Sequence, residues 1–420
     1  MVPSRNGEGT ELYAHSEELE AKLRELARRG HMEIEKELAL EKKTYGSHIK
    51  ILILGGPLSG KSTIFKQMQI IHVDGFKTDQ ELIQYRGLID NNIRDIYLQL
   101  IAGSRVVGIP LDPIEHITYE IDEIYAPMSD AFSVRTISEL LEPLTEFWNS
   151  KQIQEIYKRR CEFELLDSTK YYLENLTRIA DPTYLPNQED IVHSRKATMS
   201  INSIVFEYTG VSLLNILVKL KILDFFLFYF RMIDVGGQRS ERKKWLHLFD
   251  DAKVVLFVID LTGYAKRSEE SRMEVKYFET FQFKISRTWI LRILSRFPKF
   301  FRDVGSNAYD MKVALKIFNE VAAASALANA VFLLFFNKVD LFKEILSQVN
   351  LQPCFSKFDG ENTYEETSKY ICEKFIRAAS SKKSVFPHFT TATNTENVKL
   401  VFRACMESVF KANAKATGLS

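Results

Sequence analysis

The chain has 420 residues, 45% hydrophobic and 26% charged, a globular balance that excludes whole-chain disorder and suits several domains or one core domain with a large insertion. Lysine and arginine number 56 against 55 acidic residues, so the net charge is +1 and no electrostatic case exists for a nucleic-acid partner. The four cysteines, Cys161, Cys354, Cys372 and Cys405, show no CxxC spacing; a disulfide framework or zinc ribbon is not expected, and a reducing compartment fits better.

From the N-terminus, no apolar signal-peptide core is seen, and Val2 stands where N-myristoylation requires Gly. No early cysteine is placed for palmitoylation, and the C-terminal Thr417-Gly418-Leu419-Ser420 is not a prenylation box, so no lipidation motif is evident. Within 1–45, residues 16–43 are rich in Glu, Lys, Arg, Leu and Ala. Leu19, Leu23 and Leu26 share one helical face there, as in a polar helix that is solvated or awaits a partner. Ile49 to Leu54 reads as a buried strand running into Gly55, and Ser62 to Ile71 as the following helix. Residues 77–190 are helical in pattern, for example Ile89–Ile101 and Ile153–Leu166, with no clear strands. Strand-like runs return at Ile204–Tyr208, Phe228–Ile233, Val254–Asp260 and Val331–Phe336. The last element, Glu396 to Ala414, is a helix with Val398, Val401, Phe402, Cys405 and Val409 on one side.

Two apolar runs invite a membrane reading. Asn215, Lys219, Lys221, Asp224 and Arg231 interrupt Val211–Ile233, and a charge at bilayer depth costs a few kcal/mol. Ala322–Phe336 is too short to cross. A transmembrane segment is not expected. A strand–loop–helix unit, an all-helical interruption and then alternating strands and helices argue for an α/β fold with a mostly parallel sheet covered on both faces.

Gly55-Gly56-Pro57-Leu58-Ser59-Gly60-Lys61-Ser62 satisfies G-x-x-x-x-G-K-[ST] between a strand and a helix. Backbone N–H groups of such a loop point at phosphate oxygens, and the helix N-terminus adds a favourable dipole. Lys61 would reach the β- and γ-phosphates and Ser62 would bind Mg²⁺. Taken alone, the loop says only nucleoside triphosphate. Asn337-Lys338-Val339-Asp340 follows another core strand. A carboxylate at Asp340 can accept from the ring N–H and exocyclic amine of guanine, a donor pair that adenine lacks. Asn337 would bind the opposite edge and the Lys338 stem would cover the ring face. Asp234-Val235-Gly236-Gly237-Gln238 follows a third strand: Asp234 can hold a Mg²⁺-bound water, Gly237 can offer its N–H to a γ-phosphate, and Gln238 can orient an attacking water.

With these motifs in order, the sequence resembles the alpha subunits of heterotrimeric G proteins. Lys61 to Met68 is close to the family's first helix, and Asp234 to Trp245 is similar to its second switch without a departure. Phe389 to Thr393 resembles its last base-binding loop, with Thr391 where Cys is usual. The resemblance implies a Ras-like P-loop GTPase core, 46–76 and 191–420, with an inserted all-helical domain at 77–190 and an N-terminal helix within 1–45. It implies that Asp190 to Thr198 is the first switch, with Arg195 the built-in arginine and Thr198 a Mg²⁺ ligand beside Ser62 and, through water, Asp234. Nucleotide contacts implied in the same way are Gly55, Leu58, Ser59, Gly60, Lys61, Ser62, Thr63, Asp167, Ser168, Val192, His193, Ser194, Arg195, Thr198, Asp234, Gly237, Asn337, Lys338, Asp340, Thr393 and the backbone N–H of Ala392, the last aimed at guanine O6. The implied activity is GTP hydrolysis to GDP with Mg²⁺, with Gln238 and Arg195 as the catalytic pair. The implied partners are a βγ dimer facing the N-terminal helix and Arg239, Arg242, Lys243 and Lys244, a seven-helix receptor at the C-terminal helix, an effector, and a GTPase-activating regulator. Membrane association, at the cytoplasmic face, is then expected through partners.

The sequence departs from the family at Pro57 (usually Gly), Leu58 (usually Glu) and Met199-Ser200 (usually Thr-Gly). Proline lacks an N–H donor, but Lys61, Ser62, Asp234, Asn337 and Asp340 are in place, so nucleotide binding is expected to survive while hydrolysis or exchange shifts. Two connections are also long, the excess falling at 211–228 and 275–310. Both read as atypical insertions, either partner-binding or foreign to the working protein, and the second fits better because they match no element of the fold. The alternative to a working switch is a GDP/GTP-binding scaffold with impaired hydrolysis; an ATP-using enzyme is disfavoured by Asn337, Lys338 and Asp340.

Overall fold

The computed structural model describes residues 48–125, 137–208, 228–268, 308–379 and 383–416. The expected N-terminal helix within 1–45 lies outside the described residues. So do 211–228 and 275–310, except at their ends, where Phe228 opens a strand and Asp310 opens a helix.

The chain runs through β1 (Ile49–Gly55), α1 (Lys61–His72), α2 (Asp79–Val107), α3 (Glu115–Tyr125), α4 (Ile137–Asn149), α5 (Lys151–Lys158), α6 (Thr169–Glu174), α7 (Leu176–Ile179) and α8 (Gln188–His193). It continues through β2 (Asn202–Tyr208), β3 (Phe228–Asp234), β4 (Val254–Asp260), α9 (Asp310–Ala323), β5 (Val331–Asn337), α10 (Val339–Leu346), α11 (Tyr364–Ala378), β6 (Val385–Thr390) and α12 (Thr395–Ala416). The strands form one six-stranded sheet in the order β2-β3-β1-β4-β5-β6. The pairs β1–β4, β4–β5 and β5–β6 are parallel, and β2–β3 is antiparallel. Six of the seven residues of β4 and all seven of β5 are buried, as expected of central strands covered on both faces.

A first core cluster joins the sheet to its helices through Leu54, Phe257, Phe318, Phe332, Phe336 and Phe375. A second is built wholly from residues of 89–184, among them Ile89, Ile93, Tyr97, Leu144, Phe147 and Tyr172. A helical block with its own apolar centre is therefore threaded between β1–α1 and the rest of the sheet. α2 is long and well ended: Thr78 and Glu81 form a capping box, and Gly108 closes the helix at φ 72°.

Two expectations need correction. The helix expected over Ile153–Leu166 stops at Lys158; Arg159 then grips Glu162, and Leu166 N–H donates to Gln99. β6 was not among the expected strands, because Pro387 and His388 break its apolar pattern. It pairs with β5 and is the last strand in the sheet order, a place where proline is tolerated. The apolar run 322–336 holds the expected strand as β5, after the end of α9 and a 3-10 turn at Ser325–Leu327. Among the described residues no helix is long and apolar enough to cross a membrane.

Candidate functional site

A cleft of about 1220 Å³ opens where β1, β3 and β5 end and is walled on its far side by the helical block. This is where open α/β sheets hold ligands. Its lining includes Leu58, Ser59, Gly60, Lys61, Ser62, Thr63, Asp167, Ser168, Val192, His193, Ser194, Arg195, Thr198, Asp234, Gly237, Gln238, Asn337, Lys338, Asp340, Ala392 and Thr393. Gly55 lies beneath the loop. Its φ of 146° and the closeness of the Val258 carbonyl leave no room for a side chain.

The phosphate loop is tied to the base loop. Gly60 has φ 97°, and a Cβ there would strike Asn337 Nδ2. That nitrogen donates to the Ser59 carbonyl at 2.9 Å, while Asn337 Oδ1 accepts from Ala392 N–H at 2.9 Å and from Thr390 Oγ1 at 3.2 Å. Asn337 is therefore a buried strut between the loops that would face phosphate and guanine. Asp340 stands exposed in the first turn of α10, its carboxylate at the cleft; burial of the group's surroundings and the nearby acids raise its pKa.

Lys61 is 6% exposed and donates to the Gly56 carbonyl at 2.5 Å, curled inside its own loop. Beside it, Ser62 Oγ donates to Asp234 Oδ2 at 2.7 Å and lies 2.8 Å from Thr198 Oγ1. Asp234 is 1% exposed, and its Oδ1 is buried without a hydrogen-bond partner. Burial raises the Asp234 pKa, against Ser62, Lys61 and Lys66. Two hydroxyls and an orphaned carboxylate oxygen, all hard donors, are the ligand chemistry Mg²⁺ prefers. Among the described residues no cluster of three His, Cys, Asp or Glu side chains competes as a metal site.

The helical block closes the cleft with charge. Lys338 sits at φ 66° and bridges Asp167 at 2.6 Å and Asp260 at 2.5 Å, and Lys266 reaches Asp167 at 3.1 Å. Burial works against a charged Asp167, but the two ammonium groups outweigh it and hold its carboxyl well below the usual range. Ser168 Oγ donates to the His193 carbonyl at 2.8 Å. His193 stacks on Tyr171 at 3.8 Å, and burial keeps its imidazole neutral, with a pKa of about 4. Asp190 is fully buried under the Arg178 fork, with both bonds at 2.7 Å.

Arg195 is half-exposed at the cleft and meets Glu164 at 3.5 Å. Gln238 is exposed at the cleft, and Gly237 packs so closely that a Cβ would lie 2.6 Å from the Gly56 carbonyl and 2.7 Å from that of Gly55. Lys66 reaches the same region, donating to the carbonyls of Ile191 at 2.9 Å and Ser194 at 2.7 Å. Burial lowers its ammonium pKa to about 7, with Asp234 opposing. Lys66, Asn92, Glu164, Asp260 and Lys266 are site residues that motif reading missed. Asn92 carried a signal: it is a polar residue within the stripe Ile89, Ile93, Ile96.

The family model of the G-protein alpha subunit matches residues 28–409. The chain belongs to the G-protein alpha subunit family. Among its relatives, the guanine nucleotide-binding protein alpha-14 subunit of Caenorhabditis elegans is 91% identical, over 100% of this chain and 94% of the relative. The alpha-14 subunit of Caenorhabditis briggsae is 71% identical over 100% of this chain and 94% of its own length. The alpha-4 subunit of Caenorhabditis briggsae is 32% identical over 92% and 95%. The six-stranded sheet with its helical insertion is the Ras-like architecture expected of this family.

Proposed function

We propose that the chain is a switch that binds GTP and GDP in this cleft and hydrolyses GTP. The observation that carries the reading is convergence: a phosphate loop, a hard-oxygen metal cluster and a base loop strutted by Asn337 line one nucleotide-sized space. Bound Mg²⁺, held by Ser62, Thr198 and the water-linked Asp234, would neutralise charge on the β- and γ-phosphate oxygens.

Within that site Lys61 turns from the Gly56 carbonyl to the phosphates, where three N–H donors on a compact cation suit oxyanions. Gly237 offers its backbone N–H at the γ-phosphate because no side chain intervenes. Gln238 orients the attacking water. The Arg195 guanidinium, held only loosely by Glu164 in the resting geometry, moves to the charge that develops on the transferred phosphoryl group. Asp340 accepts from the guanine ring N–H and amine, and the Ala392 N–H, which donates to Asn337 Oδ1 in this structure, would turn to guanine O6. In the family pattern, GTP orders the two switch segments, and hydrolysis releases them. A βγ dimer, a receptor, an effector and a GTPase-activating regulator are the partners this cycle requires, and they would hold the chain at the cytoplasmic face of the membrane. Leu246, 68% exposed next to buried Trp245, is an apolar contact point for such a partner.

The test is a single-turnover measurement of phosphate release from Mg²⁺-GTP. Arg195→Ala and Gln238→Leu should each slow it by roughly 100-fold or more, the scale for losing one preorganised charge-stabilising or proton-positioning group. An unchanged rate in both variants contradicts the assignment.

The second reading, a nucleotide-binding scaffold with weak turnover, rests on Pro57 and Leu58. Pro57 has no N–H to give a phosphate, and Leu58 is 50% exposed in a left-handed conformation, φ 56°. With Leu at position 58, the loop offers Arg195 no carboxylate. Pro57→Gly should raise the single-turnover rate by about 3–10-fold, the worth of one restored hydrogen bond. Identical rates remove Pro57 as the reason for slow turnover.

A further inference from the structure

Asn92 is 4% exposed on α2, on the same face as Ile89, Ile93 and Ile96 of the helical core. A primary amide in that stripe is costly unless both its donor and its acceptor are used. Both are used on one residue. Asn92 Nδ2 donates to the Arg195 carbonyl at 2.9 Å, and Asn92 Oδ1 accepts the Arg195 N–H at 2.7 Å. A single orientation of the amide satisfies both bonds. It therefore reads the backbone of Arg195 as a neighbouring strand would, in a segment, 194–199, with no regular secondary structure.

The flanks of Arg195 are held from the other side. Lys66 of α1 holds the Ile191 and Ser194 carbonyls, and Thr198 meets Ser62 of the same helix. The Arg195 backbone is thus fixed by the helical block, its flanks are fixed by the sheet domain, and among the described residues its side chain's ion pair is the 3.5 Å contact to Glu164. A rigid backbone under a loosely held guanidinium is a pre-positioned donor with freedom to complete its reach.

We infer that Asn92 is a positioning residue for Arg195, setting the arginine's backbone so that its guanidinium meets the γ-phosphate only while the helical block lies against the sheet domain. The inference rests on the reading in which Arg195 assists GTP hydrolysis. Asn92 is not among the residues that line the cleft; it acts through the Arg195 peptide. Asp at 92 would keep the acceptor but set an oxygen against the Arg195 carbonyl, and Leu would supply neither bond.

The experiment is a double-mutant cycle on the full chain, read as single-turnover hydrolysis of preloaded GTP started with Mg²⁺. Asn92→Asp and Asn92→Leu should each slow hydrolysis by about 10-fold or more, because displacement of a catalytic group by an ångström or less has effects of that size. In the Arg195→Ala background the same substitutions should change the rate by less than about twofold, since nothing remains for Asn92 to position. Equal slowing in both backgrounds overturns the inference by making Asn92 a packing residue. An Arg195→Ala defect without an Asn92 defect overturns it while leaving the role of Arg195 intact. No Arg195→Ala defect overturns the reading on which it rests. Asn92→Asp is nearly isosteric, so it carries the test if Asn92→Leu does not fold, and GDP-bound circular dichroism reports folding for each variant.

Discussion

Gly60→Ala is expected to lower nucleotide affinity by about three to four orders of magnitude. Gly60 has φ 97°, where an L-residue is strained by about 1–2 kcal/mol. The added methyl would also strike Asn337 Nδ2. Relief requires Asn337 to withdraw from the Ser59 carbonyl, Thr390 and Ala392, each bond worth about 1 kcal/mol net. Together these come to about 4–5 kcal/mol, or roughly 10³ to 10⁴ in affinity, because the loops that must move are those proposed to face phosphate and base. Titration with a fluorescent GDP analogue, alongside thermal melting, measures it. An affinity within about threefold of the unsubstituted chain would show that the Asn337 strut does not organise the site.

Gly237→Ala should divide the two nucleotides. Its methyl would press on Lys61 and on the carbonyls of Gly55 and Gly56, so the 236–238 segment must stay away from the phosphate loop. GDP makes no demand on that segment and should bind within about threefold of normal. On the proposed reading a GTP analogue takes the Gly237 N–H at its γ-phosphate, so the ordering of the second switch should fail. Trp245 reports the step directly: it is buried, and its Nε1 donates to the Gly236 carbonyl at 3.0 Å. The fluorescence change on adding the analogue with Mg²⁺ should be present in the parent chain and absent in the variant. A full change in Gly237→Ala would mean that the segment senses no γ-phosphate.

The sheet was legible where its strands are buried on both faces. β4 and β5 are continuous apolar runs with one acid or amide at the end, and that terminal polar residue, Asp260 or Asn337, lies in the site region. The edge strand β6 was not, because a half-exposed Val-Phe-Pro-His-Phe-Thr has neither a run nor an alternation to read. The phosphate loop and the Asp234 segment were legible because their chemistry is local, with each glycine and hydroxyl acting within a few residues of its neighbours. The Lys266–Asp167–Lys338–Asp260 network was not: its bonds join residues 78 to 171 positions apart, and no local pattern pairs them. Asn337 lay between these cases. Its place after β5 was plain from sequence, but its work as a strut holding Ser59 and Ala392 needs the packed loops. Leu58 and Pro57 were visible as departures, and the left-handed φ of Leu58 gives that departure a backbone as well as a polar consequence.

The most direct test of guanine recognition is a competition titration, in which GTP, GDP and ATP each displace a fluorescent guanine nucleotide from the full chain in Mg²⁺ buffer. On the proposed reading Asp340, which lines the cleft, accepts from the ring N–H and amine of guanine, so GTP and GDP should compete at least about 10³-fold better than ATP, since a site built for a donor pair leaves its acceptors unpaired with adenine. Equal displacement by ATP, or no binding of any of the three, would contradict it.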